Sequence, residues 1–245
     1  MKSIEIIITG ANGGIGTALC TAYFNAGFSV IAIDIQDYIG HKYSDKYIQM
    51  DADEYAKSEV YRATINLAFK DVNPSVLINN CATQLLGGFE EFSAEAWHTT
   101  MNVNLSSSFF LIQAFYKELV LNKGQVINIA SIHANQTKPR FFAYATSKAA
   151  LLGLTKSLAL EFKGKITVNA ISPAAIDTPM LREGFDNDES VIDKLAKIHP
   201  SQEIGEPGNL AAFILDITKA NNRFLNGANI SFDGGISNSL VDLDL

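Results

Sequence analysis

The chain has 245 residues, 47% of them hydrophobic and 18% charged, with a formal net charge of −7. This composition fills a sizeable core and excludes an intrinsically disordered protein. The acidic balance argues against a nucleic acid or an anionic membrane surface held by bulk electrostatics. The two cysteines, Cys20 and Cys81, lie in no CxxC pair. They predict neither a disulfide framework nor a zinc site, and they suit a reducing cytoplasm.

The chain runs from Met1-Lys2-Ser3 straight into IEIIITG, so no signal peptide is expected. No stretch reaches the roughly 18 uninterrupted apolar residues of a membrane span. IEIIIT (4–9) reads as a buried strand, followed by a helix over GIGTALCTAYFNAG that stops at Gly27. SVIAID (29–34) and YIQMD (47–51) are the next strands, and a helix is predicted over 54–70 before Pro74. After strand SVLINN (75–80), Ser93 caps a long helix, with Glu95 in its first turn, reaching about Leu121. QVINIA (125–130) is strand five, and the stretch 142–162 is one helix. ITVNAIS (166–172), a helix at 207–217 and ANISFDGG (228–235) complete the pattern. Continuous apolar strands alternating with helices imply a single α/β domain over 1–245. It is a doubly wound, Rossmann-type parallel sheet of about seven strands with helices on both faces. The segment 174–206 is polar, contains Gly184, Pro200 and Gly205, and reads as a substrate-binding loop or lid.

TGANGGIG lies between the first strand and the first helix. Its glycines let the backbone approach a pyrophosphate that faces the helix N-terminus. Gly10, Asn12, Gly14, Ile15 and Gly16 are the expected contacts there. Asp34 ends the second strand, 20 residues after Gly14. A carboxylate there accepts the adenosine ribose hydroxyls and repels a 2′-phosphate. Ile35 and Gln36 follow it, and the glycine turn carries no Arg or Lys. Both features favour NAD over NADP. Asp51, with Ala52 beside it, ends strand three and can meet the adenine or cap a strand. Asn79 and Asn80 end strand four and bond either the neighbouring backbone or the cofactor.

Tyr144 and Lys148 are four residues apart near the start of the 142–162 helix, so both side chains share one face. Ser131 closes strand five, 13 residues before Tyr144, at the sheet edge where ligands bind. An ammonium beside a phenol favours the phenolate, so Lys148 is expected to lower the Tyr144 pKa from its ordinary value near 10. The tuned phenol moves a substrate proton while Ser131 holds the substrate oxygen. The hydride chemistry belongs to the cofactor.

Together these motifs resemble the classical short-chain dehydrogenase/reductase family over nearly the whole chain. TGANGGIG matches its TGxxxGxG, YATSK its YxxxK and FDGG its last-strand signature. INNCA is similar to its NNAG, and SPAAIDTPM to its nicotinamide segment, here carrying Pro173, Ile176 and Thr178. The resemblance implies that Lys148 also holds the nicotinamide ribose. It implies that Asn104, in NVN, anchors a water in a proton relay. Ile176 and Thr178 would hold the cofactor carboxamide and phosphates. A homo-oligomer, tetramer or dimer, paired through the long helices that hold Asn104 and Tyr144 is also implied. Two residues depart from the family pattern. Ala82 and Ala174 stand where it has glycines, which raises the question of whether those positions need positive φ.

The segments 82–92, 132–143 and 174–206 are expected to line the substrate pocket. They offer Gln84, His133, Gln136, Lys138, Arg140, Phe141, Phe142 and Phe185. Lys138 and Arg140 can meet an anion or remain solvated loop charges. His41, His98 and His199 form no ligand spacing, so no metal is expected. The expected function is an NAD(H)-dependent interconversion of a secondary alcohol and a ketone on a small molecule. The alternative is an NADH-sensing module without turnover. Sugars or polyols, hydroxy fatty acyl groups, steroids and small cyclic alcohols all remain open as substrates.

Overall fold

The computed structural model describes residues 4–37 and 43–239, so residues 1–3 and His41 lie outside the described residues. Seven strands form one parallel sheet: β1 (Glu5–Thr9), β2 (Ser29–Asp34), β3 (Lys46–Gln49), β4 (Pro74–Asn79), β5 (Gln125–Ile129), β6 (Thr167–Pro173) and β7 (Asn229–Phe232). Their order is β3-β2-β1-β4-β5-β6-β7. Register runs from Ile33↔Ile48 on one side to Ile171↔Ile230 on the other. The chain winds outward from β1 in one direction and from β4 in the other. The crevice beyond the carboxyl ends of β1 and β4 is therefore the topological switch point.

Alternation along the strands separates two cores. Ile7, Ile31, Ile33, Leu77, Val126 and Val168 face one side, and Ile6, Ile8, Val30, Val76, Ile78, Ile127 and Ile171 the other. The second side is covered by α1 (Gly14–Asn25) and, at the far end of the chain, by a helix at Pro207–Ala220. Tyr23 of α1 is fully buried there, 2.5 Å from the Thr218 hydroxyl.

The first side is covered by more broken helices than the sequence predicts. The 54–70 helix is two pieces, α2 (Ala52–Lys57) and α3 (Glu59–Ala68). Ser58 divides them because its hydroxyl accepts the Tyr61 N–H, 3.2 Å away, and starts a new helix. The long helix after Ser93 is α4 (Ala94–Met101), a π-turn (Asn102–Ser106), α5 (Ser107–Ala114) and α6 (Tyr116–Leu121). Ser93 caps α4 by accepting the Ala96 N–H. Then α7 (Phe142–Glu161) packs beside the π-turn. The 174–206 segment carries α8 (Pro179–Glu183) and α9 (Glu189–Ile198), and α10 is Pro207–Ala220. No described helix is long and apolar enough to cross a membrane.

Candidate active site

At the end of β1 the chain turns through Gly10 to Gly13 into α1. Gly13, the N-cap, offers no side chain, so the N–H groups of Gly14, Ile15 and Gly16 have no acceptor within the helix. A Cβ on Gly16 would stand 1.9 Å from the Gly10 carbonyl oxygen, so only glycine permits this turn. Ile15 anchors the same turn by packing on the α1-side core. This cradle of open N–H groups at a helix start fits a pyrophosphate.

Asp34 ties the turn to β2. Its carboxylate accepts the Asn12 N–H at 2.9 Å and the Gln36 N–H at 3.1 Å. Tyr47 on β3 joins the same corner: its hydroxyl accepts from the Asn12 side chain at 3.0 Å and donates to the Gln36 carbonyl at 2.6 Å. Asn80 clips β4 to the turn. Its N–H reaches the Thr9 hydroxyl at 3.0 Å, and its amide donates to the Thr9 and Gly10 carbonyls. Asp51 is a helix cap, accepting the Asp53 and Glu54 N–H groups at 2.8 and 3.2 Å, and Ala52 is the first, buried residue of α2. Neither side chain of Asn79 and Asn80 is loose: Asn79 donates to Asn128 across the sheet.

Ser131 follows β5 and is 7% exposed. Its hydroxyl accepts the His133 N–H at 3.1 Å and is hydrogen-bonded to the Tyr144 side chain. Lys148 is 2% exposed, with Nζ 5.7 Å from the centre of the Tyr144 ring. That ammonium donates to the Ile129 carbonyl at 2.7 Å. Ser131, Tyr144 and Lys148 thus converge at the carboxyl end of β5.

The electrostatics differ from the sequence expectation. Burial dominates at Tyr144 and raises its pKa, while the Ser131 hydrogen bond pulls the other way. Burial also lowers the Lys148 pKa, to about 8, so that the group remains an ammonium at neutral pH. Cys81 is likewise no nucleophile: burial pushes its thiol to about 12.

Asn104 is fully engaged. It accepts the Thr83 N–H at 2.8 Å and donates to the Thr83 carbonyl at 2.9 Å and the Ser147 hydroxyl at 3.0 Å. Ser147 in turn donates to the Tyr144 carbonyl at 2.7 Å. The residue lies in the π-turn, a break in the α-helical ladder of the kind that marks functional sites. Its side chain thereby fixes the strand-four loop to the Tyr144 helix.

Beyond β6, Pro173 pairs with Phe232, and the Ala174 N–H donates to the Phe232 carbonyl at 3.1 Å. Neither Ala82 nor Ala174 is among the residues of positive φ, so alanine is accommodated at both places. Ile176 bridges to Gly205 through the Ala175 carbonyl and the Asp177 N–H. The peptide groups of Ile176 itself therefore face away from Gly205. Thr178 caps α8 and presses on the glycine turn: a Cβ on Gly14 would stand 2.8 Å from its methyl carbon. Gly14 is needed for this approach as well as for the turn.

Aromatic rings wall the cleft beside Tyr144. His133 stacks on Phe141 at 4.5 Å and meets the edge of Tyr144 at 5.9 Å. Phe142 packs against Phe92 at 4.9 Å and Phe89 at 5.9 Å. Gln136 is turned to the Ser237 carbonyl, 2.8 Å away. Of the residues to which sequence reasoning gave no role, Thr9 and Ser147 lie inside the TGANGGIG and YATSK motifs and were findable there. Tyr47 and Thr83 carry no local signal, because only the fold brings them to Asn12 and Asn104.

The family model described as Enoyl-(Acyl carrier protein) reductase matches residues 10–237. The 2-(R)-hydroxypropyl-CoM dehydrogenase of Xanthobacter autotrophicus is 31% identical over 241 residues, covering 93% of this chain and 96% of its own. Ligand-free aldohexose dehydrogenase of Thermoplasma acidophilum superposes with a TM-score of 0.91 at 29% identity, covering 99% of this chain and 97% of its own. A 4-hydroxyisoleucine dehydrogenase complexed with NADH gives a TM-score of 0.86 at 30% identity, covering 97% of this chain and 100% of its own. The matching solved structures include NADP-bound as well as NADH-bound proteins. The chain belongs to the classical short-chain dehydrogenase/reductase family.

Proposed function

We propose that the protein is an NAD(H)-dependent oxidoreductase that interconverts a secondary alcohol and a ketone on a small molecule. The observation that carries this reading is the convergence of Ser131, Tyr144 and Lys148 at the carboxyl end of β5. When bound, NAD supplies the hydride acceptor and NADH the donor. In oxidation, Tyr144 removes the hydroxyl proton as hydride leaves the carbon; in reduction it returns the proton. Ser131 holds the substrate oxygen by a hydrogen bond as charge develops on it. Lys148 stabilises the phenolate and holds the nicotinamide ribose. The Asn104 side chain is occupied by Thr83 and Ser147, so the group that Asn104 offers a relay water is its backbone carbonyl. Pro173, Ile176 and Thr178 border the nicotinamide side, Ile176 with its outward peptide groups.

Asp34 supports NAD over NADP, because its carboxylate stands beside Asn12 and Gln36 with no basic residue in the turn. Asp51 and Ala52 border the adenine end. The test is a panel of alcohols and ketones followed at the NADH absorbance band, with NADPH alongside. Turnover with NADH and a clear preference over NADPH is the expected result. Absence of turnover across the panel would favour a sensor.

A homo-oligomer in the cytoplasm completes the reading. Phe109, Ile112, Tyr116, Leu158 and Phe162 line an apolar groove of about 310 Å³ on α5, α6 and α7. Light scattering should return a dimer or tetramer mass, and a monomer at micromolar concentration would refute this.

A further inference from the structure

One cation lies between the two loops that the sequence assigns to the substrate pocket, 132–143 and 174–206. Lys138, in the loop between Ser131 and α7, places its ammonium 4.5 Å from the centre of the Phe141 ring. The same ammonium lies 5.8 Å from the ring of Phe185, which comes from the other wall, between α8 and α9. Phe141 meets Tyr144 edge-on at 6.3 Å, so a short path of rings leads from the ammonium to the catalytic phenol. Lys138 is exposed, and the two rings draw its ammonium between the loop after Ser131 and the α8–α9 connection.

The charge is also uncompensated. The cation of the facing segment, Arg182, is held by Asp177 at 2.7 Å and Glu189 at 2.6 Å. Lys138 makes no ion pair among the described residues, although Glu183 and Asp186 flank Phe185. Arg140 is exposed, two residues on. His133, between Lys138 and Tyr144, adds no competing positive charge. Burial first, and Lys138 second, lower its pKa below the ordinary 6.5, so it is neutral at neutral pH.

We propose that Lys138 is an anion anchor and that the substrate is a small hydroxy or oxo acid, its carboxylate at Lys138 and its reacting carbon at Tyr144. This deepens the oxidoreductase reading and rests on it. A carboxylate suits the site better than a phosphate ester. Lys138 makes no ion pair among the described residues, and one carboxylate matches its single charge; because Arg140 and the start of α7 at Phe142 lie in the same loop, a phosphate ester is kept as an arm of the test. Neutral polyols and steroids leave the ammonium without a partner.

The experiment compares 2-hydroxypropanoate, 3-hydroxybutyrate and 4-hydroxypentanoate with their methyl esters, with glycerol 3-phosphate as the phosphate arm and threitol as a neutral polyol. Each is oxidised with NAD by the wild-type protein and by Lys138→Gln and Lys138→Glu variants. The expected result is that at least one acid exceeds its ester about tenfold or more in kcat/KM. That preference should collapse in Lys138→Gln, mainly through KM, and invert in Lys138→Glu. An acid/ester ratio near one, a preference for threitol or glycerol 3-phosphate, or an unchanged ratio in Lys138→Gln overturns the inference while leaving the oxidoreductase reading intact. If none of these compounds, nor any ketone of the wider panel, is turned over, both readings fall together.

Discussion

Removing the Asn104 side chain tests how the site is held together. In Asn104→Ala, the Thr83 N–H and carbonyl and the Ser147 hydroxyl each lose a partner. A stranded polar group costs about 1–3 kcal/mol, and the part-buried Thr83 groups belong near the lower end. The sum is on the order of 3 kcal/mol, which for a chain of this size lowers Tm by roughly 6–12 °C. Ser147→Ala removes only one of the three bonds and should cost about 1 kcal/mol. Because the two share that bond, the double variant should lose less than the two single losses combined. Thermal unfolding followed by circular dichroism measures the series. Amide exchange adds a local readout, with the Thr83 N–H losing protection in Asn104→Ala. A Tm within about 2 °C of wild type, or unchanged protection at Thr83, would refute the assignment of Asn104 as the clip between the strand-four loop and α7.

Asp34→Ala should narrow the preference for NADH over NADPH, measured as the ratio of their dissociation constants by fluorescence titration. An unchanged ratio would remove Asp34 from ribose recognition. Gly14→Ala places a methyl against Thr178 and should weaken NADH binding, and adding Thr178→Ser, which deletes the methyl it strikes, should restore part of it. No recovery would mean that the damage lies elsewhere in the turn. Lys148 gives a pH signature. Its folded pKa of about 8 lies below the ordinary 10.5, so between these values the unfolded chain binds the proton more tightly. The Lys148 contribution to stability should therefore rise with pH across that window, its penalty being full below pH 8. Denaturant unfolding of wild type against Lys148→Met should show this slope, and parallel pH profiles for the two would contradict it.

Much of this was legible because the relevant signals are local. The β-branched runs marked all seven strands to within one or two residues, and the 142–162 helix is α7 almost residue for residue. The glycine turn, Asp34, Ser131 and Tyr144/Lys148 stand where strand ends and helix starts place them. What escaped depends on side-chain contacts that no residue pattern announces. Ser58 reads as an ordinary helix residue until its hydroxyl is seen to cap the next turn. The π-turn at Asn102–Ser106 has no signature in an apolar, helix-forming stretch; it accompanies the reach of Asn104 toward Thr83. The net direction at Tyr144 could not be read from a four-residue spacing, because burial, which the spacing does not reveal, is the largest cause there. The concern over Ala82 and Ala174 came from a family pattern, and the backbone there takes alanine without positive φ.

The central claim is that Tyr144 moves the proton. Tyr144→Phe, measured for NADH affinity by fluorescence and for turnover with the best substrate of the panel, tests it most directly. The account predicts NADH binding within a few-fold of wild type and a fall in kcat of about 10²–10⁴. A variant that binds NADH normally and keeps kcat close to wild type would contradict it.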